Sequence, residues 1–432
     1  SKTISWNATG TVTNVKIEYK TSSGGAYYTI IANDPNHTAG ANSYTWSSVA
    51  DENSEDCYIK VSDVNKPDLV YSVSENPFSI RPKITVSSPS AGELIKVGST
   101  YNGKIQWSLN GSTKVTSVDI LYSTNGPAGP FDKTIATSVD ASLGSYDWVN
   151  VADTISDNVV IQVIDTSNSN VYGLSGVFSI IGDIQVQAPN GDEDWPVGSS
   201  QNITWTKKGT IGNVNIYVDY DGDGTYDELL GTVDSETSTL FNWDPIPDNV
   251  TNNAKIKVAD SDNEANVYDE SNSAFHIVGS FTITAPDGSP LTSGEPYTIQ
   301  WSSTGTAINK VKLEFYDGSS WSTIESLAPN SGTYAWTVPS NTNSTNCKIR
   351  ITASEPDQPA TATESSTFWV HGKITVSAPI STSKWTVGES QDITFDITGK
   401  IDNVNILYSK DCLLYTSDAA DELDGVDLGG SR

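Results

Sequence analysis

The sequence predicts an all-β fold, built from tandem Ig-like (fibronectin III-like) antiparallel β-sandwich modules in an extended array. Two observations predict this fold. Apolar and aromatic positions recur every 94 to 101 residues along the 432-residue chain, and that interval is the length of one Ig-like domain. Within each interval apolar residues alternate with polar ones at a period of two, which is typical of half-buried strands, and no stretch sustains a helical period.

The most regular element is a strand that ends in an aromatic residue, called here the ladder strand. An isoleucine stands two positions before the aromatic residue in every copy: Ile4/Trp6, Ile105/Trp107, Ile203/Trp205, Ile299/Trp301 and Ile393/Phe395. A glycine follows, and then a strand whose alternating apolar side chains share one face: Val15/Ile17/Tyr19, Val118/Ile120/Tyr122, Val214/Ile216/Val218, Val311/Leu313/Phe315 and Val404/Ile406/Tyr408.

A second aromatic pair, two further strands and a short opening strand complete the repeat. The aromatic pairs are Tyr44/Trp46, Tyr146/Trp148, Phe241/Trp243 and Tyr334/Trp336. The later strands carry Ile59/Val61 and Phe78/Ile80 in the first repeat, with matching pairs in the next three. An opening strand such as Ile84/Val86 has a proline and usually a glycine behind it. The count predicts seven or eight short strands per repeat.

The repeat sets the predicted domain boundaries. We expect Ig-like modules at 1–80, 83–180, 183–277 and 280–370, and a truncated module at 373–411. The first lacks its opening strand and the fifth stops early. Junctions of two or three residues are too short to behave as flexible linkers, so neighbouring repeats should restrain each other.

Several strings of the repeat resemble a known family. They are "ITVSAPISTSKWTVGESQDITF", "IQVQAPNGDEDWPVGSSQNITW" and "AKIKVAD…VYDESNSAFHI". They are similar to the Ser/Thr-rich repeat of cell-surface and GPI-anchored proteins, an Ig-like module related to the N-terminal domain of yeast cell-wall-synthesis proteins. The resemblance covers residues 1–411. It implies an extracellular Ig-like sandwich and supplies no catalytic residues.

Residues 412–432 depart from the repeat. Their sequence, "CLLYTSDAADELDGVDLGGSR", resembles the translation of a sequencing-library adapter, and we treat it as a non-native tail. The chain also contains no methionine, at position 1 or elsewhere. We therefore expect an internal fragment of a longer secreted chain, with flanking domains on either side.

The composition excludes several classes of function. Asp and Glu outnumber Lys and Arg by 53 to 24, giving a formal charge of -29, which repels nucleic acid and anionic membranes. No apolar run is long enough for a membrane span. No Cys or His spacing indicates a zinc site, and no nucleophile elbow of the G-x-S-x-G type is present. These observations predict a chain that is not an enzyme.

Tryptophan is the residue most often used to stack on sugars. Eight tryptophans belong to the ladder strands and the second aromatic pairs, and Trp195 and Trp385 share a W-x-V-G position. Recurrence in successive repeats predicts core packing for these ten. Trp369 differs, because it lies between the inward-facing Phe368 and Val370 and should point outward. We predict Trp369 as a candidate ligand-binding residue.

One segment has a pattern of acidic residues that the general composition of the chain does not explain. The stretch "DYDGDGTYDE", residues 219–228, occurs only in the third repeat. Carboxylates at alternating positions of a tight loop can converge on Ca²⁺, and a glycine lets the loop turn sharply. The residues predicted to hold one Ca²⁺ are Asp219, Asp221, Asp223, the carbonyl of Thr225, and Asp227. The alternative is an acidic turn that binds no specific metal.

Two functions fit these features. The leading hypothesis is a non-catalytic repeat region that serves as a stalk, adhesive segment or structural spacer of a secreted or cell-surface protein, with an extracellular glycan or protein as its ligand. The alternative is a set of accessory carbohydrate- or substrate-binding modules of a secreted hydrolase whose catalytic domain lies outside this sequence. Fold alone does not separate the two.

Overall fold

The computed structural model describes residues 1–409, and these residues form two compact units. The first comprises Ser1–Glu193, Ser200–Pro245 and Asn253–Phe275. The second comprises Asp194–Ser199, Ile246–Asn252 and the described residues from His276 onward. These limits do not follow the predicted domain boundaries, which stay a prediction. We use repeat one to repeat five for the sequence ranges 1–80, 83–180, 183–277, 280–370 and 373–411.

Repeat one lies in the first unit and contains seven strands. Strands β1 and β4 form a two-stranded sheet, and the second sheet has the order β3-β2-β5-β6 with β7 also paired to β5. The strands are β1 (Lys2–Ala8), β2 (Val15–Lys20), β3 (Tyr28–Asp34), β4 (Gly40–Trp46), β5 (Ser54–Asp63), β6 (Tyr71–Val73) and β7 (Phe78–Ile80).

Repeat two, also in the first unit, has nine strands and one 3₁₀ turn at Ala141–Leu143. One sheet has the order β13-β10-β8 and the other β12-β11-β14-β16-β9, with β15 paired to β14. The strands are β8 (Thr85–Ser88), β9 (Leu94–Lys96), β10 (Tyr101–Ser108), β11 (Ser117–Ser123), β12 (Lys133–Asp140), β13 (Ser145–Trp148), β14 (Ser156–Asp165), β15 (Tyr172–Leu174) and β16 (Phe178–Ile181).

Repeat three contributes to both units. In the first unit β19 pairs with β17 and β22, and β20 pairs with β21 and β23. In the second unit β18 runs parallel to β25. The strands are β17 (Asp183–Ala188), β18 (Asp194–Pro196), β19 (Gln201–Lys208), β20 (Asn213–Asp219), β21 (Glu228–Asp234), β22 (Leu240–Trp243), β23 (Thr251–Asp260), β24 (Tyr268–Glu270) and β25 (Phe275–Val278).

Repeat four and the described part of repeat five lie in the second unit. Repeat four has the sheets β26-β28-β31 and β27-β34-β32-β29-β30, and β33 pairs with β32, whereas repeat five has one two-stranded sheet, β35-β36. The strands are β26 (Ser280–Ala285), β27 (Leu291–Thr292), β28 (Pro296–Thr304), β29 (Lys310–Tyr316), β30 (Trp321–Pro329), β31 (Thr333–Thr337), β32 (Ser344–Ala353), β33 (Thr363–Glu364), β34 (Phe368–His371), β35 (Lys373–Ala378) and β36 (Thr394–Thr398).

These sheets confirm the predicted all-β, tandem Ig-like sandwich, with two differences. Repeats two, three and four each have nine strands, because strands of two or three residues are too short to show a period in the sequence. The pairing is also not wholly antiparallel. Strand β9 runs parallel to β16, β18 to β25 and β27 to β34. In all three cases the W-x-V-G region, or its counterpart, supplies the parallel strand.

In repeats two to four the ladder residues lie in the core of the sandwich, whereas Ile4, Trp6 and Phe395 are partly exposed and Ile393 is exposed. Ile105, Ile203 and Ile299 are fully buried, and the tryptophans two positions later are nearly so. Cys57 and Cys347 are buried free thiols, as expected for small apolar side chains. The prediction of core packing is wrong for Trp385, which is 47% exposed. The reason is that repeat five has no second sheet among its described residues to cover this side chain.

Candidate functional site

The acidic loop of repeat three connects β20 to β21. Ligand oxygens of Asp219, Asp221 and Asp227 lie within 4.8 Å of one another. Two oxygens bound to one Ca²⁺ are separated by at most about 5.2 Å, twice the longest usual Ca–O distance. Asp219 is only 1% exposed, whereas Asp221 and Asp227 are exposed. The three carboxylates are therefore spaced as ligands of one ion would be.

The backbone of the loop holds Asp219 in place. Its Oδ1 accepts a hydrogen bond from the Gly222 amide at 2.7 Å and its Oδ2 one from the Gly224 amide at 2.9 Å. Gly222 and Gly224 have φ values of 74° and 87°, which other residues adopt only at a cost. The Asp221 amide also donates to Oδ1 of Asp219, at 3.2 Å. A carboxylate has about four acceptor positions, so the three bonds leave about one of them for a ligand.

Two of the predicted calcium ligands, Asp223 and Asp227, differ in their position relative to the cluster. Asp223 is not a member of the three-carboxylate cluster, and its Oδ1 accepts a hydrogen bond from the Thr225 amide at 2.6 Å. Asp227 is in the cluster, and its Oδ2 accepts one from the Tyr220 amide at 2.7 Å. The structure thus brings three of the four predicted carboxylates together. Calcium binding stays a prediction.

Tyr226, next to Asp227, lies in an acidic setting. Burial, together with a hydrogen bond to Glu270 and the negative charges of Glu270 and Asp219, raises the pKa of its phenol. The Lys257 Nζ lies 5.3 Å from its ring centroid. Tyr226 therefore stays neutral at physiological pH and adds no charge to the loop.

Trp369 lies on β34 between the buried Phe368 and Val370 and is 42% exposed. Its placement matches the expected outward orientation. A sugar-binding role for Trp369 stays a prediction.

A second kind of site was not recognised in the sequence: polar contacts that join one repeat to the next. In the first unit, Asp51 of repeat one accepts hydrogen bonds from the Ser112 hydroxyl at 2.5 Å and the Thr113 amide at 2.8 Å, both in repeat two. Burial alone would raise the pKa of Asp51, but these hydrogen bonds outweigh it, and the pKa lies below its ordinary value.

The same joint recurs at equivalent positions. Within the first unit, the Thr210 hydroxyl donates to Asp153 at 2.7 Å. Within the second, the Thr306 amide donates to both oxygens of Asp248 at 3.0 Å. The carboxylates Asp51, Asp153 and Asp248 each stand five residues after the second tryptophan of a repeat, and Ser112, Thr210 and Thr306 stand five residues after the ladder tryptophan. This shared spacing is the signal that could have revealed the joint.

A glycine precedes the donor at each joint. A Cβ at Gly209 would lie 3.1 to 3.3 Å from atoms of Ile155, Val97 and Asp153, and φ there is 89°. A Cβ at Gly305 would lie 2.9 Å from a Val250 methyl, and φ there is 90°. Positive φ and close approach both favour glycine, so the glycine allows the loop to meet the preceding repeat.

A second polar cluster supports the first joint. Glu55 of repeat one accepts two hydrogen bonds from the Arg81 guanidinium at 2.6 Å, one from the Ser79 hydroxyl at 2.6 Å and one from the Asn168 amide of repeat two at 3.0 Å. The bonds from Arg81, Ser79 and Asn168 lower the pKa of Glu55 to about 2.

These features define a class: tandem Ig-like β-sandwich repeats whose successive members contact each other through a recurring carboxylate. A family model described as a Kre9/KNH-like N-terminal Ig-like domain matches residues 284–370. That span is repeat four without its first four residues, and it supports the Ig-like cell-wall family for this part of the chain. The chain has no match among curated proteins.

The chain is similar to several solved structures at low identity. Fibronectin(III)-like modules of Clostridium thermocellum CbhA are 17% identical, with 43% of this chain and 93% of that one covered and a TM-score of 0.18. Domains 3–5 of Drosophila OTK are 10% identical, covering 67% and 97%, with a TM-score of 0.27. The N-terminal four Ig domains of Dscam1 isoform 1.9 are 12% identical, covering 86% and 91%, with a TM-score of 0.22. Such values carry no inference about function.

Among residues 1–409, no helix is long and apolar enough to cross a bilayer.

Proposed function

We propose that the chain is a non-catalytic repeat region that acts as a structural spacer or adhesive stalk in a secreted or cell-surface protein. The observation that carries the proposal is the recurring joint, in which Asp51, Asp153 and Asp248 each bond to the next repeat. Domains joined by short linkers move relative to each other unless an interface restrains them. A spacer has to resist that motion.

The test is to remove the three joint carboxylates together in the full chain. We expect the D51A/D153A/D248A chain to keep its sandwiches but to lose protection from hydrogen exchange at residues 109–115, 207–212 and 303–308. A hydrogen bond to a charged group contributes about 1.5 to 3 kcal/mol, so exchange should accelerate at least tenfold. Small-angle scattering of the same chain should show greater flexibility.

The matched control removes three other acids. Asp68, Asp157 and Asp357 are exposed and their loss changes the net charge equally. The D68A/D157A/D357A chain should behave as the unmodified chain does. Equal exchange rates in the two triple variants would mean that the joints restrain nothing, and the spacer proposal would lose its basis.

Calcium binding at the acidic loop is a second part of the proposal. Its support is the close spacing of Asp219, Asp221 and Asp227 and the burial of Asp219. For a Kd of about 0.1 mM and free calcium of about 1 mM, binding would stabilise the loop and its strands by about 1.4 kcal/mol.

Isothermal titration of the full chain with CaCl₂ in about 0.15 M salt should show one site, lost in Asp221→Ala and kept in Asp157→Ala. The salt suppresses general attraction of cations to the acidic surface. Equal heats from the unmodified and Asp221→Ala chains would leave the loop as an acidic turn.

The alternative, accessory binding modules of a secreted hydrolase, would depend on the exposed indole of Trp369. A glycan array probed with the full chain tests it. Binding that disappears in Trp369→Ala and persists in Leu327→Ala, a change at another exposed apolar side chain, would support this alternative. Absence of binding to any glycan would count against it.

A further inference from the structure

Basic and aromatic side chains alternate in a row on repeat one. The Lys20 Nζ lies 5.1 Å from the ring centroids of both Tyr27 and Tyr58. The Lys60 Nζ lies 5.4 Å from the ring centroid of Tyr27 and 5.0 Å from that of Tyr71. The order along the row is therefore Tyr58, Lys20, Tyr27, Lys60, Tyr71. We call these five residues the lysine–tyrosine row.

The row crosses one sheet of the sandwich on its solvent face. Its members come from β2, β5, β6 and the residue directly before β3. Successive side chains of a strand point to opposite faces of a sheet. Tyr19 and Ile59, which directly precede Lys20 and Lys60, pack in the core of repeat one. The row therefore lies on the face that points away from the core.

The same face is open in repeats that have nine strands. Tyr172 in repeat two and Tyr268 in repeat three occupy the position of Tyr71 in the strand register. These two tyrosines are 49% and 42% exposed, and Tyr71 is 56% exposed. Repeats two and three each have an opening strand, β8 and β17. An opening strand thus leaves this face of the sheet accessible to solvent.

The two lysines of the row have no carboxylate partner. Among the described residues, neither Lys20 nor Lys60 forms an ion pair. Lys20 donates a hydrogen bond to the Ser23 carbonyl at 2.5 Å, which leaves its charge uncompensated. The chain has 53 acids for 24 bases, so a shortage of carboxylates does not explain the missing partners.

Repeats three and four supply such a partner from within. Lys257 and Arg350 occupy the position of Lys60 and also lie over aromatic rings, those of Tyr226 and Trp321. The residues opposite the cation on the neighbouring strand are Glu270 for Lys257 and Glu364 for Arg350, but Val73 for Lys60. Repeat one therefore lacks the acid at the place where the other two repeats have one.

The charges around the row leave it weakly positive. Glu18 lies opposite Lys60 in the pairing of β2 with β5, but its carboxylate binds Lys16 at 2.6 Å. Asp56 is hydrogen-bonded to the hydroxyl of Tyr58. Three lysines thus face two carboxylates on a chain whose formal charge is -29. The row is a local site for an anion on an otherwise acidic molecule.

We propose that the lysine–tyrosine row binds a polysaccharide that carries carboxylates, such as a chain of uronic acids. The lysines would pair with carboxylates, and the tyrosine rings would contact the apolar faces of the sugars. Each lysine already lies between two rings, so little side-chain freedom is lost on binding. The two ammonium groups are within about 11 Å of each other, so one polymer can contact both. The inference goes beyond the proposed spacer function and does not rest on it.

Charge density favours a polyuronate over a nucleic acid. Duplex DNA carries one negative charge per about 1.7 Å of its axis, whereas a polyuronate carries one charge per sugar. The formal charge of -29 therefore opposes the polyuronate less. At about 0.15 M salt the Debye length is about 8 Å, so charges elsewhere on the chain are screened and the lysines of the row decide the contact.

Fluorescence anisotropy of end-labelled hexagalacturonic acid with the full chain tests the proposal. EDTA in the buffer removes divalent cations that would bridge carboxylates. We expect saturable one-to-one binding that weakens with added NaCl, because the contact is ionic. The double variant Lys20→Gln/Lys60→Gln should bind at least tenfold more weakly. Lys60→Arg, which keeps the charge, should bind as the unmodified chain does.

Matched controls come from repeat two. Lys104→Gln/Lys133→Gln changes the net charge equally but removes lysines that pair with Asp147 and Asp132, and it should leave binding unchanged. Tyr71→Ala should weaken binding. Tyr172→Ala, at the same position of repeat two, should not.

A second variant tests the row without removing any of its members. Val73→Glu places an acid where repeats three and four have one, so Lys60 should pair internally and the uronide should bind at least tenfold more weakly. Val73→Gln has nearly the same size without the charge and should bind normally. Val73 is partly exposed, so neither change should disturb the fold, and near-UV circular dichroism checks this.

Four results would overturn the proposal. The first is no saturable binding of the uronide to the unmodified chain. The second is equal binding by the unmodified chain and Lys20→Gln/Lys60→Gln. The third is equally tight binding of neutral maltohexaose, which would leave ring stacking without a role for the lysines. The fourth is tighter binding of a single-stranded oligodeoxythymidine, which would assign the row to a nucleic acid.

Discussion

Replacing Trp205 by alanine tests the core of repeat three. Trp205 lies on β19 and is 2% exposed. Its indole Nε1 donates a hydrogen bond to the Ser235 hydroxyl at 3.2 Å, and Ser235 is itself 2% exposed. The substitution therefore removes a buried ring and leaves a buried hydroxyl without this donor.

The size of the effect follows from these contacts. A buried tryptophan hides about 150 to 250 Å², which at about 25 cal/mol per Å² is an upper estimate of about 4 to 6 kcal/mol. Measured Trp→Ala changes in cores cost about 3 to 5 kcal/mol because the cavity partly collapses. Loss of the bond to Ser235 adds about 1 kcal/mol. We expect a total of about 4 to 6 kcal/mol.

Hydrogen exchange on the full chain measures this loss locally, since unfolding of a multidomain chain is not two-state. The free energy of opening should fall by the expected amount in peptides from residues 201–208 and 213–219. Trp369→Ala is the control, because exposed positions change stability by about 0.5 kcal/mol or less. A fall below about 1 kcal/mol for Trp205→Ala would place the ladder at the surface and refute the core assignment.

Two further predictions concern the joints. The pKa of Glu55 is about 2 in the folded chain and that of an unfolded glutamate is about 4.3, so the contribution of Glu55 to stability is complete above about pH 4.3 and is lost as the pH falls towards 2. Carboxyl NMR should give a titration midpoint near 2 for Glu55, and Arg81→Ala should raise this midpoint towards the ordinary value. A midpoint that does not move in Arg81→Ala would contradict the prediction. Gly209→Ala should accelerate hydrogen exchange at residues 207–212, because the new Cβ would lie 3.1 Å from Ile155 and the φ angle at this position disfavours alanine. Gly212→Ala is the control and should have little effect, because the space around Gly212 is open.

The sequence predicted what depends on local alternation. Ile203 and Trp205 recur in register with their counterparts, and a period of two fixes which face each residue occupies. The parallel pairing of β9 with β16 was not predictable, because three residues carry no period. Trp385 shares the motif of Trp195 yet is exposed, since burial depends on a covering sheet and not on the motif itself.

The candidate sites were harder to predict, because they too depend on contacts that a local pattern does not determine. The close approach of Asp219, Asp221 and Asp227 follows from their place in one short loop. The side chain of Asp223 bonds instead to the backbone amide two residues on, a competition that spacing does not resolve. The contacts of Asp51 and Asp153 were not predictable from local sequence, because their partners lie about sixty residues away in the next repeat.

The recurring joint has a consequence for how such a chain can change in evolution. Repeats two and three each carry both halves of the contact, a carboxylate five residues after the second tryptophan and a donor five residues after the ladder tryptophan, whereas repeat four carries the donor Thr306 and has Asn341 at the carboxylate position. A duplicated copy of a repeat with both halves would therefore carry its own carboxylate and its own donor, and would fit between existing neighbours without compensating substitutions. Unequal recombination could then lengthen or shorten the array by whole repeats, which makes repeat number an easily varied property of the gene.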